Sequence, residues 1–210
     1  MPYSFPKIYP ILDSSLIPAS GRSEFLHRLC SELAHAGVTL LEYRNKNGAE
    51  VEILADAAIL RAALDIKLIL DDRADLVEQT GFDGVHVDGG DISPAEARAL
   101  LGPGRIIGTF GGSDEFLPDI FEAPVDYLAI GPVFQTTTKL TDKAPIGFAG
   151  VRHLRKRAGP DRVLTAAAGI TLQTAHAVLA AGATSVAVSK AIFGAENPAD
   201  EFRKWLAELG

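Results

Sequence analysis

The sequence predicts an α/β protein folded as a single (β/α)8 TIM barrel, on three observations. Short apolar runs rich in Val, Ile and Leu recur about eight times, amphipathic stretches lie between them, and the alternation continues through 210 residues without a long linker or low-complexity tract. Such alternation implies parallel strands joined by right-handed crossovers, and eight repeats in one domain favour a closed barrel over an open sheet. The length is near the lower limit for that barrel, so residues 1–210 are expected as one domain.

The first strand is expected in KIYPILD, followed by the amphipathic SEFLHRLCSELAHAG, in which Cys30 takes an apolar helical position and reads as a buried thiol. VTLLEYR then leads into EVEILADAAILRAAL, and KLILDD and GVHVD give the third and fourth strands. SPAEARALLG opens on Ser and Pro and closes on Gly, the order of signals expected at a helix's two ends. RIIGTF, YLAIGPVF, VLTAAAG and SVAVSK supply the remaining strands, with TLQTAHAVLAAG as the helix between the last two.

Composition excludes several classes. The chain is 47% hydrophobic and 22% charged, ordinary for a globular protein. A net charge of -7 argues against broad nucleic-acid binding, which needs a basic face. No window offers about 18 uninterrupted apolar residues, and the start lacks a basic region followed by a long apolar stretch, so neither a membrane span nor a secretory leader is expected. Cys30 is the only cysteine and forbids an intrachain disulfide. A cytoplasmic location follows as an expectation, and the oligomeric state stays open, a homo-oligomer included.

In such barrels chemistry sits at the C-terminal ends of the strands, so the polar residues after each apolar run are the candidates. They are Glu42, Arg44 and Lys46, then Asp71, Asp72 and Arg73, then Asp88 and Asp91, and then Thr109. Thr136, Thr137, Thr138 and Lys139 follow the sixth run, Gly169 the seventh and Ser189 the eighth. Asp72 and Asp91, on adjacent loops, suit Mg²⁺, which takes one or two protein carboxylates and fills its other positions with water and phosphate oxygens; solvated acids or helix caps are the other reading. Asp71 beside Asp72, with Glu42 on the neighbouring strand end, is expected to crowd like charges so that at least one carboxyl titrates high, unless alternation sets Asp71 and Asp72 on opposite faces. Arg44 and Lys46 share one strand face and suit a polyanion, with a solvated pair as the plain alternative. The threonine cluster can cap a helix, decorate a loop, or close on a phosphorylated ligand. Gly169, Val188 and Ser189, just ahead of helical starts, occupy the place where barrels of this class bind phosphate, although a structural turn accounts for such a glycine equally well. His86, inside GVHV, reads as structural rather than as a base.

Taken in order, LLEYRNKNG, LILDDRADLVEQTGFDGVHVDGGD, IIGTF, DYLAIGPVFQTTTK and GITLQTAHAVLAAGATSVAVSKAIF resemble the thiamine phosphate synthase family, from about Tyr9 to Phe193. The resemblance implies an enzyme that joins a pyrimidine methyl diphosphate to a thiazole phosphate, using Mg²⁺ and releasing diphosphate. It implies Asp72 and Asp91 as metal ligands, Arg44, Lys46 and Lys139 on the diphosphate, and Thr109 in the place of a family serine nearby. Thr136, Thr138, Gly169, Val188 and Ser189 would receive the thiazole phosphate, with Thr137 in the same segment. Small-molecule substrates are the partners implied.

Three positions depart from the family pattern. Glu42 stands where Gln is general, Asp71 where Asn is general, and Ala168 where a second Gly is common. Glutamine both donates and accepts, whereas an ionised Glu42 only accepts, so ring recognition is expected to differ. These departures leave a thiazole tautomerase-like paralogue and a non-catalytic phosphate-binding barrel as alternatives.

Overall fold

Eight parallel strands close on themselves in chain order in the computed structural model, which describes residues 4–136 and 143–210. They are β1 (Ile8–Asp13), β2 (Leu40–Arg44), β3 (Lys67–Asp71), β4 (Gly84–Val87), β5 (Ile106–Gly112), β6 (Tyr127–Ile130), β7 (Leu164–Ala167) and β8 (Ser185–Val188). β1 pairs with both β2 and β8, which makes the closure. The expected barrel is the observed one.

Each strand's period-two alternation sorts its side chains between two apolar clusters. In β2, Leu40 lies in the cluster inside the barrel and Leu41 in the larger one beneath the helices. Tyr9, Ile69, Ile106, Tyr127 and Ala187 fill the interior with Leu40. Glu42 and Arg44 share the parity of Leu40, and Asp13 that of Tyr9, so the alternation that packs the barrel floor also aims these polar side chains at its mouth. Gly108 on β5 makes the floor possible: a Cβ there would lie 1.9 Å from the Tyr127 ring.

The helices are α1 (Arg22–Ala34), α2 (Glu50–Ala63), α3 (Val77–Thr80), α4 (Pro94–Leu101), α5 (Gly147–Ala158), α6 (Leu172–Ala180), α7 (Lys190–Phe193) and α8 (Pro198–Leu209). Cys30 is fully buried on α1, as its apolar spacing predicts. Ser93 starts α4 with a capping box closed by Glu96. On α8, Phe202, Trp205 and Leu209 recur at helical spacing and are buried, while Asn197 caps the first turn and Pro198 begins it.

The strand-helix alternation weakens at two crossovers. β3 is followed by a short 3-10 turn and the four residues of α3, and β5 only by a 3-10 turn at Ile120–Glu122. The segment after β5 carries Pro118 and Pro124 and no sustained helical period, so nothing in it supports a full helix. Among the described residues, no helix is long and apolar enough to cross a membrane.

Candidate active site

The inward parity of the strands ends at a cavity of about 300 Å³ in the mouth of the barrel. One side is polar: Glu42 and Arg44 from β2, Asp71 from β3 and His86 from β4. The opposite side is built of small residues, with Ala129, Ala167 and Ala187 from β6, β7 and β8. An adjoining cavity of about 450 Å³ is lined by Thr136, Gly169, Val188 and Ser189. Both cavities are bordered by Arg44, Thr136 and Ala168.

Two cations and three acids interlock on the polar side. Arg44 is ion-paired with Asp13, its register partner across β1 and β2, and its Nε lies 3.4 Å from Asp71 Oδ2. Lys46 Nζ lies 2.5 Å from Asp72 Oδ2 and 3.7 Å from Asp71 Oδ2. Asp71 and Asp72 both reach these cations because Asp72 adopts φ 67, leaving the strand conformation and breaking the alternation. The Asp72 N–H donates to the His86 carbonyl at 2.8 Å, which ties this turn to β4.

Burial, with the negative charges of Glu42 and Asp72, pushes the Asp71 carboxyl well above the usual carboxylate range. Asp72 is also partly buried, but a hydrogen bond with Asp91 and the charge of Lys46 outweigh that cost and lower it. Asp91 is raised, by burial and by Asp72. Arg44 and Lys46 are both raised: their burial is outweighed by the neighbouring carboxylates.

Asp72 and Asp91 fit a hard cation by the chemistry of the donor set. Each acid is felt by the other in its titration, and Asp72 Oδ1 is buried without a hydrogen-bond partner. Among the described residues no three His, Cys, Asp or Glu side chains form a metal cage. Two carboxylates are the set that Mg²⁺ takes when phosphate oxygens and water complete its shell.

In the second cavity Ser189 Oγ is buried without a partner. Gly169 has φ 66, and a Cβ there would come within 2.3 Å of the Gln135 carbonyl oxygen. Its lack of a side chain is thus required by the close approach of the loop after β6, besides any ligand. Ala168 adopts φ 77 without being glycine. Thr137, Thr138 and Lys139 lie outside the described residues.

Thr109 is not brought to the cavity. It follows the outward parity of Ile107, and its hydroxyl donates to the Val87 carbonyl at 2.8 Å; the β5 residue that lines the cavity is Phe110. Arg73 also turns away, pairing with Glu50 and Asp75 at the surface. Conversely, the sequence reading passed over Asp13, Tyr9 and Tyr127 and set His86 aside as structural. The signal available was parity: Tyr9, Ile11 and Asp13 alternate on one face of β1.

A closed parallel barrel with paired cations and acids at its mouth, opening onto a second polar cavity, defines a barrel enzyme of the phosphate-handling class. Its sequence matches the family described as thiamine monophosphate synthase over residues 8–192, and the chain belongs to that family. Relatives named thiamine-phosphate synthase include one from Koribacter versatilis, 42% identical over 185 residues and covering 87% of each chain. Another, from Agrobacterium fabrum, is 36% identical over 197 residues, covering 91% of this chain and 88% of the relative. Among solved structures, thiamine phosphate pyrophosphorylase from Pyrococcus furiosus superposes with a TM-score of 0.77 at 28% identity, covering 97% of this chain and 96% of that one. Orotidine 5'-phosphate decarboxylase from Pyrococcus horikoshii, at 15% identity and TM-score 0.67, shares the fold alone.

Proposed function

We propose that the barrel mouth carries out thiamine phosphate synthesis by joining 4-amino-2-methyl-5-(diphosphomethyl)pyrimidine to thiazole phosphate, with release of diphosphate. The observation that carries this reading is the shared wall: a cavity beside Arg44, Lys46 and the acids adjoins one lined by Thr136, Gly169, Val188 and Ser189. Two adjoining cavities of this kind support a reaction between two phosphorylated substrates.

The reaction breaks the bond between the pyrimidine methylene and the diphosphate oxygen, whose electron pair leaves with the diphosphate. The thiazole nitrogen then supplies the pair that forms the new carbon–nitrogen bond. No side-chain nucleophile is needed, so the protein's task is to stabilise charge and align two rings. Arg44 and Lys46 hold the diphosphate, exchanging part of their pairing with Asp13, Asp71 and Asp72 for phosphate oxygens. Asp72 and Asp91 would hold Mg²⁺, which when bound neutralises charge on the leaving group. Glu42 and Asp71 face the ring end of the same cavity. Thr136, Gly169, Val188 and Ser189 receive the thiazole phosphate, with Thr137, Thr138 and Lys139 assigned by resemblance alone. The partly buried cationic pair and the small alanines opposite keep the reacting centre in a narrow, largely apolar space where such charges act strongly.

The test is to mix purified protein with both substrates and Mg²⁺ and to measure diphosphate. Release that depends on thiazole phosphate is expected. Absence of release, or release that ignores the thiazole, overturns the assignment.

A further inference from the structure

Glu42 and His86 are connected across the cavity floor by two buried tyrosines. The Tyr9 hydroxyl donates to Glu42 Oε2 at 2.7 Å, the hydroxyls of Tyr9 and Tyr127 meet at 2.8 Å, and the Tyr127 oxygen lies 3.0 Å from His86 Nδ1. All four side chains line the cavity.

The valence of the hydroxyls fixes the direction of this chain, because a phenol has one hydrogen to give. Tyr9 gives its hydrogen to Glu42, so Tyr127 must be the donor to Tyr9. Tyr127 then has none left, and its oxygen must accept from His86 Nδ1. Burial, reinforced by the negative charge of Glu42, pushes both phenols well above their ordinary range, so they keep their hydrogens. The rings are held as well: Tyr9 meets Tyr127 edge-on with centroids 5.6 Å apart, and His86 stacks on Tyr127 at 5.6 Å. Gly108 clears the space for the Tyr127 ring. His86 Nε2 and Glu42 Oε1 make no hydrogen bond to a described residue.

We propose that Tyr9 and Tyr127 are positioning residues that, anchored on Glu42, hold His86 in its Nδ1–H tautomer and leave Nε2 as a hydrogen-bond acceptor for a ligand N–H in the cavity. Glu42 Oε1 is a second acceptor on the same relay. A glutamine at position 42 presents an amide N–H₂ as well as an oxygen, and would allow either direction; glutamate permits one. The pair selects a ring that presents N–H donors, which the exocyclic amine of an aminopyrimidine does. Only this last step, the identity of the ligand, rests on the proposed function.

The tautomer is read directly from the ring nitrogen shifts of ¹⁵N-histidine-labelled protein, without substrate, at pH 8. The chain has five histidines. His27, His35, His153 and His176 are exposed, so replacing them with Gln leaves the His86 signals alone. The expected result is a protonated Nδ1 and a bare Nε2; a protonated Nε2 overturns the proposal. Tyr127→Phe removes the acceptor, and the ring should move largely to the Nε2–H form. If that variant does not fold, Tyr9→Phe serves, because Tyr127 is then released to donate to Nδ1 and the ring should again switch. A tautomer unchanged in the folded variant overturns the relay. In turnover assays Tyr127→Phe should raise KM for the pyrimidine diphosphate about tenfold, the scale of one lost hydrogen bond, with KM for thiazole phosphate within about twofold. A switched tautomer with an unchanged pyrimidine KM overturns the ligand role. The expected tautomer in a protein that releases no diphosphate instead overturns the substrate reading and leaves the relay standing.

Discussion

Lys46 Nζ lies 2.5 Å from Asp72 Oδ2, joining the segment after β2 to the left-handed turn after β3. The cation and the acid thus act as one unit at the mouth. Asp72→Asn keeps a side chain that tolerates the left-handed backbone while removing its charge. Lys46→Met keeps the bulk of the stem. Each is expected to lower kcat/KM about 100-fold, and the double variant by clearly less than the product of the two losses, because each change already disables the shared unit. Steady-state kinetics of all four proteins make the check, and strictly multiplicative losses would refute the coupling.

Thr109→Val tests the outward placement of that residue. The hydrogen bond to Val87 is lost, at a cost of about 1 kcal/mol, which lowers Tm by about 2–4 °C in a chain of this size. KM for the pyrimidine diphosphate should not change. A severalfold rise in KM would return Thr109 to the site.

Ala168 carries the conformational cost of φ 77 with a Cβ attached. Relief of that cost, about 1–2 kcal/mol, exceeds the roughly 0.5–1 kcal/mol that glycine loses through its greater freedom when unfolded. Ala168→Gly should therefore raise Tm by a few degrees in calorimetry. Lower stability would show that the alanine methyl contributes packing that outweighs the strain.

Burial pushes the Cys30 thiol up to about 11. The unfolded chain ionises this thiol at lower pH than the folded protein does, so the unfolded state binds fewer protons across the interval between the two values. Stability from this residue is full below about pH 9 and is lost as pH rises towards 11, with a slope of at most about 1.4 kcal/mol per pH unit. Urea denaturation at pH 8, 9, 10 and 11 should show a shallower decline for Cys30→Ala than for the natural sequence. Parallel curves for the two proteins would contradict the assignment.

Much of this arrangement was legible in the sequence. Each apolar run is short and alternates with an amphipathic or turn-rich stretch, so all eight strands stand out, and the two-residue spacing of Arg44 and Lys46 already places them together. The crowding of Asp71 and Asp72 was legible as adjacent acids, but its cause was not, because nothing in LILDD announces that the second acid turns left-handed. Thr109 was placed by its match to a family serine, whereas the alternation Ile106, Gly108, Phe110 would have sent it outward. Tyr9, Tyr127 and His86 lie within strands rather than after them, and a search confined to strand ends passes over residues whose polar atoms reach the cavity from its floor.

The strands at the mouth are chemically lopsided: β2 to β4 contribute charged side chains and β6 to β8 contribute alanines, with Lys143 arriving from the segment after β6. The two halves can therefore change independently over evolutionary time. A larger residue in place of Ala129, Ala167 or Ala187 reshapes the space for a ring without disturbing an ion pair, whereas a change at Arg44, Lys46 or Asp72 alters which anion is held without repacking the far wall. A barrel divided in this way is a ready starting point for new substrates, since shape and charge need not be altered together.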